Sequence, residues 1–175
     1  DDLRRFNAVQ REPIHVHAEP SVVDWLQRTY PYIFDPGKNI NQSFVPMLIP
    51  VPFEAGQWFE IAGVGWLPIR LMHGRLPIVG FRVGSMAYCT DVSTIPPESQ
   101  HALDDLDVLV IDGLRYRRHP THMTVDQALG VVEQFRPRRA YLTHIAHDIK
   151  HSELEPKLPD HVALAYDGLV VEFDG

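Results

Sequence analysis

Seven of the ten histidines of this 175-residue chain gather in "HVH" (15–17), "HPTH" (119–122) and "HIAHDIKH" (144–151). Of the other three, His73 stands in "LMHG". Neutral imidazole is a common metal ligand, and its ordinary pKa lies near neutrality, so such clusters suit metal coordination or proton transfer. Three residues stand at the same place in three apolar runs: His73 ends "PIRLMH", Asp91 ends "MAYCTD" and His144 ends "RAYLTH". Two imidazoles and a carboxylate are ligands for a borderline divalent ion such as zinc or manganese. A carboxylate has two oxygens, so an aspartate can also serve two ions at once. Taken singly, a histidine after a strand is more often a loop residue than a ligand, and Asp91 in "TDVS" could simply start a turn. Their common position is what raises them above that, because α/β proteins build sites where strand ends converge on one sheet edge.

The elements that must position these residues fall into two grammars. "PIHVHA" (13–18) reads as a short strand and "SVVDWLQRTY" (21–30) as a helix with Ser21 as N-cap. "YPYIFDPGKNINQ" (30–42) is turn-rich and reads as a loop. The prolines of "FVPMLIPVPF" (44–53) demote it to extended chain or an edge strand. "QWFEIAG", "GWLPIRLMHG", "PIVGFRVG" and "MAYCTD" form a meander of short strands punctuated by glycine. Beyond Asp91, "STIPPESQHALDDL" suggests a loop and short helix, and "DVLVID" a strand at a sheet centre. "TVDQALGVVEQF" is a helix capped by Thr124, with Val125, Leu129, Val132 and Phe135 on one face. "RAYLTH" is another buried run, and "VALAYDGLVVEF" reads as two strands around an Asp167-Gly168 hairpin turn. Strands in series followed by strand–helix–strand alternation predict an α/β architecture, and the length suits one domain over 1–175.

Composition narrows the function. The formal charge is −7 and no basic tract runs along the chain, which disfavours nucleic acid as a partner. No apolar run is long enough to cross a membrane. A lone cysteine, Cys89, rules out an intrachain disulfide framework and suits a reducing, cytoplasmic setting. Alternation along "AYCTD" puts Cys89 on the same face as Asp91, although burial as a small hydrophobe is the commoner fate of a free cysteine. His119 and His122 precede a helix N-terminus, where anions are favoured and an imidazolium can protonate a leaving oxygen; either could instead merely cap the helix.

The segments "MHGRLPIVGFRVGSMAYCTDVSTIP", "VLVIDGLRYRRHPTHMTVDQAL", "RRAYLTHIAHD" and the closing "AYDGL" together resemble the metallo-β-lactamase fold hydrolases. Within that group they look most like the phosphoribosyl cyclic phosphate phosphodiesterases of phosphonate metabolism. The resemblance covers nearly the whole chain and implies an αββα sandwich. It implies two divalent metal ions, zinc or manganese, with His73 and His144 as ligands and Asp91 as the bridging carboxylate. It implies His122, in preference to His119, as general acid at the scissile phosphate, and His147 as a site-lining residue that either contacts substrate or supports the groups that do. His151 is assigned no role. The implied reaction is hydrolysis of a small cyclic or diester phosphate by metal-activated water.

One departure from the family is plain: its His-x-His-x-Asp-His signature is absent. "HVHAEP" (15–20) has the first two spacings, then offers Glu-Pro where Asp-His is required, and it lies on a strand instead of a loop before a helix. The resulting expectation is that the chain is the C-terminal portion of the sandwich. The N-terminal segment, with most ligands of one metal, would come from another piece of the same protein, and a homodimer is admitted. Two other classes stay open. One is a different hydrolase on this fold, such as a tRNA 3′-processing nuclease or a thioester or lactam hydrolase. The other is a non-catalytic binding or cofactor-assembly protein that lacks the metal signature.

Overall fold

The structure, a computed structural model, describes residues 2–41 and 43–173. By its contacts the chain divides into two compact units, Asp1–Glu54 and Ala55–Gly175. The first contains α1 (Arg4–Gln10), β1 (Ile14–Ala18), α2 (Pro20–Thr29), α3 (Pro31–Phe34) and β2 (Leu48–Pro52). β1 and β2 pair in parallel, Ile14 opposite Leu48 and Ala18 opposite Pro52. A two-stranded sheet leaves each strand an outer edge, so the prolines of β2 are tolerated there. Asn7 fastens α1 to this pair: its buried amide donates to the carbonyls of Glu12 (2.9 Å) and Met47 (3.1 Å) and accepts from the Met47 amide (3.0 Å).

Two expectations are corrected in this unit. α2 begins at Pro20, with Glu19 as its N-cap, so Ser21 lies inside the first turn and caps nothing. Proline at the first helical position needs no N–H and brings its φ preset, and that outweighs the serine signal. The stretch read as a loop carries α3 and a 3-10 turn at Pro36–Lys38. Pro31 starts the one and Pro36 the other, while the Asp35 side chain accepts from the Gly37 amide at 2.9 Å. Gln42 lies outside the described residues.

The second unit is built on a seven-stranded sheet: β3 (Phe59–Ile61), β4 (Val64–His73), β5 (Leu76–Val83), β6 (Met86–Cys89), β7 (Val108–Asp112), β8 (Arg139–Thr143) and β9 (Val162–Leu164), in spatial order equal to chain order. β3 to β6 pair antiparallel and β6 to β9 parallel. This is the change from meander to alternation that the sequence pattern carries. A 3-10 segment, Pro97–Leu103, links β6 to β7, and α4 (Val125–Phe135) links β7 to β8. The short α5 (His151–Leu154) and a 3-10 turn at Glu155–Lys157 precede β9.

α4 starts where its chemistry says it should. The Thr124 hydroxyl accepts from the Gln127 amide (3.2 Å), and the Gln127 side chain accepts from the Thr124 amide (2.9 Å), completing a capping box. Its Val125, Ala128 and Val132 are buried against Leu109, Ile111, Ala140 and Leu142 of the sheet, with Leu129 and Phe135 at the margin. Leu71, Ile69, Cys89, Val92 and Leu103 extend that core, and burying each large aliphatic side chain contributes roughly 1.5–3 kcal/mol. The C-terminal hairpin is half right. Gly168 has φ +88 and the Leu169 amide donates to the Tyr166 carbonyl at 3.0 Å, so the turn forms. Among the described residues no strand follows it, and β9 finds its partner in β8 instead. A turn signal sets a local reversal, whereas pairing also needs a free neighbour on the sheet, and here the parallel register supplies one.

Candidate metal centre at the strand ends

β4, β6, β7 and β8 run in the same direction, so His73, Asp112 and the residues just past Cys89 and Thr143 come out at one edge of the sheet. Asp91 and His144 follow β6 and β8 and take left-handed backbone, with φ of 60° and 58°. That conformation is uncommon for side-chain-bearing residues, costs on the order of 1–3 kcal/mol, and concentrates at functional sites. Here it turns each side chain back over the sheet edge. His144 Nε2 stands 3.4 Å from Asp91 Oδ1, and the His122 ring stacks on that of His144 with centroids 4.7 Å apart.

The remaining parts are locked by the loops. The Ser93 hydroxyl donates to the Met72 carbonyl (2.8 Å) and accepts from the Gly74 amide (2.9 Å), tying the turn after His73 to the loop that carries Asp91. Gly74 has φ +64, and a Cβ there would lie 2.9 Å from Thr121 Cγ2 and 3.3 Å from the Pro120 carbonyl. Only glycine lets the His73 turn approach the "HPTH" loop so closely. The approach brings His73 Nε2 to 3.2 Å from His122 Nε2.

Four sequence-singled residues, His73, Asp91, His122 and His144, therefore converge. Asp91, His122 and His144 each offer a donor atom within 4.8 Å of the others, and His73 joins through His122. His147 is exposed and stands outside this group, and His151 pairs instead with Glu155 Oε2 at 3.5 Å. His15 and His17 lie on β1 of the other unit and belong to no metal-ligating group among the described residues. Cys89 is fully buried, and burial, followed by the charge of Asp112, pushes its thiol up to about 12, so it offers no thiolate at neutral pH. His119 is adjacent, its ring centroid 4.9 Å from that of His122. Its imidazolium is disfavoured first by desolvation and then by the nearby Arg115 guanidinium.

The residue that sequence reasoning missed is Asp112. It ends β7 completely buried, with Oδ2 3.0 Å from His122 Nδ1 and accepting from the Val92 amide at 2.9 Å. Burial pushes its carboxyl pKa up; the contacts from His122, Val92 and the Asp91 backbone act in the opposite sense. Oδ1 is buried with no hydrogen-bond partner, so any contribution from the Asp91 amide falls short of a well-formed bond to that oxygen. A signal was available: "DVLVID" is an apolar run closed by an acid at a strand end, as "MAYCTD" is.

The donor set fits a divalent metal. An imidazole nitrogen and a carboxylate oxygen bound to one tetrahedral zinc lie roughly 3.3–3.5 Å apart given bonds of about 2.0–2.2 Å, and His144 Nε2 and Asp91 Oδ1 are separated by 3.4 Å. Both side chains are substantially exposed, which leaves the edge open to an incoming ligand.

A mixed sheet whose strand ends present histidines and an aspartate in this order defines the metallo-β-lactamase fold. The chain belongs to the β-lactamase superfamily domain family, whose pattern matches residues 1–145. A solved diphosphatase of the PhnP family is 33% identical, with TM-score 0.78 over 90% of this chain and 57% of that one. The octanoyltransferase of Porphyromonas gingivalis (strain ATCC BAA-308 / W83) is 36% identical over 99% of this chain, which spans 35% of that protein's length. Zinc-bound PqqB from Methylobacterium extorquens, 12% identical with TM-score 0.66 over 93% of this chain and 66% of its own, shares the fold. No helix among the described residues is long and apolar enough to cross a membrane.

Proposed function

We propose that the protein of which this chain forms part is a metal-dependent hydrolase acting on a small cyclic or diester phosphate. The observation that carries the reading is the convergence of Asp91 and His144 at donor spacing beside an imidazole, His122, that is tethered at its other nitrogen. The 33% identity to a PhnP-family diphosphatase supports phosphate chemistry at this edge.

In this reading His73, Asp91 and His144 would hold divalent metal, zinc or manganese, which would stabilise developing phosphate charge and make a water nucleophile available at neutral pH. Two ions need more ligands than these three residues provide. Because this chain has no His-x-His-x-Asp-His, the remaining ligands are proposed to lie outside its 175 residues. His122 acts as the general acid. Its ring lies against both His73 and His144, only 11% of its side chain is exposed, and Asp112 fixes its orientation. It can hold a proton at Nε2 and deliver it to the leaving oxygen, a role typically worth about 10²–10⁴-fold in rate. His147, exposed on the loop after His144, is proposed to contact substrate at the rim.

A second reading, hydrolysis of an acyl ester or thioester, is favoured by the name of the Porphyromonas relative. Parallel assays of the whole protein, loaded with zinc or manganese, on bis(p-nitrophenyl) phosphate, a nucleoside 2′,3′-cyclic phosphate and p-nitrophenyl octanoate separate the two. Turnover of the phosphodiesters well above that of the octanoate is expected; the reverse order would replace the first reading by the second.

A further inference from the structure

We propose that His119 is a substrate-binding residue of this site, a neutral imidazole that donates its Nε2–H to a non-bridging oxygen of the phosphate. The proposal rests on the phosphate reading and deepens it, giving the first histidine of "HPTH" a task separate from that of His122. The His119 ring is the next one out from the cluster. Its centroid lies 4.9 Å from that of His122, which in turn lies 4.7 Å from those of His73 and His144. The two neighbours are tethered in opposite senses. His122 turns Nδ1 to a carboxylate oxygen, whereas His119 turns Nδ1 to the backbone N–H of Thr121 at 3.3 Å, with the Thr121 hydroxyl 3.2 Å away. A backbone N–H can only donate, so His119 Nδ1 offers its lone pair and the ring proton sits on Nε2. Among the described residues Nε2 meets no acceptor, and the side chain is half-buried, so that N–H is left for a ligand. Thr121 is itself held from the other side: a Cβ on Gly74 would lie 2.9 Å from its Cγ2, so the turn after His73 packs against it.

Charge explains why this histidine binds and leaves proton transfer to His122. Arg115 folds back along its own loop, its Nε donating to the Arg117 carbonyl and its Nη2 to the Arg118 carbonyl, each at 3.1 Å. That keeps a guanidinium near His119, where, after desolvation, it is the largest influence against the imidazolium. An imidazole kept neutral in this way acts as an electrophile through its N–H across the neutral range. Among the described residues none of Arg115, Arg117 and Arg118 pairs with a carboxylate. In a chain of formal charge −7 this loop therefore carries an uncompensated positive field, which draws an anion toward the strand-end site. The field has no direction to impose on the anion at close range. His119 supplies that direction, as one fixed N–H for one oxygen.

The tautomer is read first, because it needs no variant to fold. In the whole protein freed of metal with EDTA, nitrogen-15 NMR should show His119 protonated at Nε2 and bare at Nδ1; a proton on Nδ1 overturns the proposal. The second measurement titrates inorganic phosphate into the zinc-loaded whole protein by calorimetry. His119→Ala should weaken binding about 10–100-fold, the worth of a hydrogen bond to a charged group, with bound metal unchanged. His119→Gln, whose amide N–H reaches nearly the same place, should stay within about threefold of the parent. Equal affinity in the parent and the Ala variant overturns the idea, as does a parent that binds no phosphate. Equal losses in the Ala and Gln variants make His119 a structural residue only and overturn it too. Kinetics on phosphodiesters then separate His119 from the general acid. His119→Ala should raise KM about 10–100-fold, alike for good and poor leaving groups, with kcat within about threefold. A loss concentrated on poor leaving groups would make His119 the acid and sink the binding role. If the parent turns over no phosphodiester, the hydrolase reading has failed, and the tautomer and the phosphate titration still decide the role of His119.

Discussion

The two units hold histidines of opposite character. In the first, His15 and His17 sit two residues apart on β1 and imitate the opening of a metal motif, yet they belong to no metal-ligating group among the described residues. In the second, His73 and His144 share no short spacing with His122, yet both rings lie against it. Local spacing places side chains on one face of one element, and that is all it does. Convergence comes from topology: parallel strands deliver their C-terminal ends to a single edge however far apart they are in sequence. The contrast can be broken or sharpened by experiment, beginning where the largest effect is expected.

Asp91→Ala is the severest test of the strand-end site. It removes the carboxylate whose Oδ1 stands 3.4 Å from His144 Nε2. Phosphodiester turnover should fall by more than about 100-fold, beyond the loss typical of an outer hydrogen-bond partner, and metal bound per chain should drop in elemental analysis. Full metal content with full activity would dismantle the site. His122→Ala comes next. It should cut kcat by about 10²–10⁴-fold, most for substrates with poor leaving groups, while metal content is kept. The geometry makes this measurement decisive, because His122 is also one of the three residues whose donor atoms lie close enough to share an ion. Metal lost with His122 would make it a ligand and leave the acid to be found elsewhere.

Much of this region was legible beforehand because its elements obey strong local rules. β4 to β8 follow apolar runs bounded by glycine or acid, and the Thr124 cap starts α4 where the sequence places it. His73, Asp91 and His144 could be picked out because each closes such a run. Asp112 closes one too and was passed over, since its importance lies in a contact with a loop ten residues on, which no periodicity encodes. The errors fall where two local signals compete. Pro20 outranked Ser21 at the start of α2, and the Asp167-Gly168 turn formed without the second strand it advertised, because β9 was already paired with β8.

A smaller effect separates the buried carboxylate from the ordinary core around it. Burial raises the Asp112 pKa, so the protonated acid is the form the fold prefers. The stability this confers is complete in acid and is lost as the pH rises from the ordinary carboxylate range through the raised value. Asparagine cannot ionise and keeps an acceptor for the Val92 amide. Asp112→Asn, measured in EDTA, should therefore melt higher than the parent at pH 7, and the gap should close as the pH is lowered toward the carboxylate range. A lower melting temperature at pH 7 would show that the hydrogen bond to His122 outweighs desolvation.

The smallest expected effect bears on the comparison most directly. His15→Ala and His17→Ala, singly or together, should change metal content and phosphodiester turnover by less than about twofold, since substitutions away from a site leave its chemistry alone. His15 is exposed while His17 is half-buried, so the pair should cost some stability through His17 and little through His15. A drop in bound metal from His15→Ala, with the melting temperature unchanged, would mean that the two histidines are ligands after all. The ligands missing from the strand-end site would then have been present in this chain, and the Glu19-Pro20 that follows them would have to be accepted in place of the family's Asp-His.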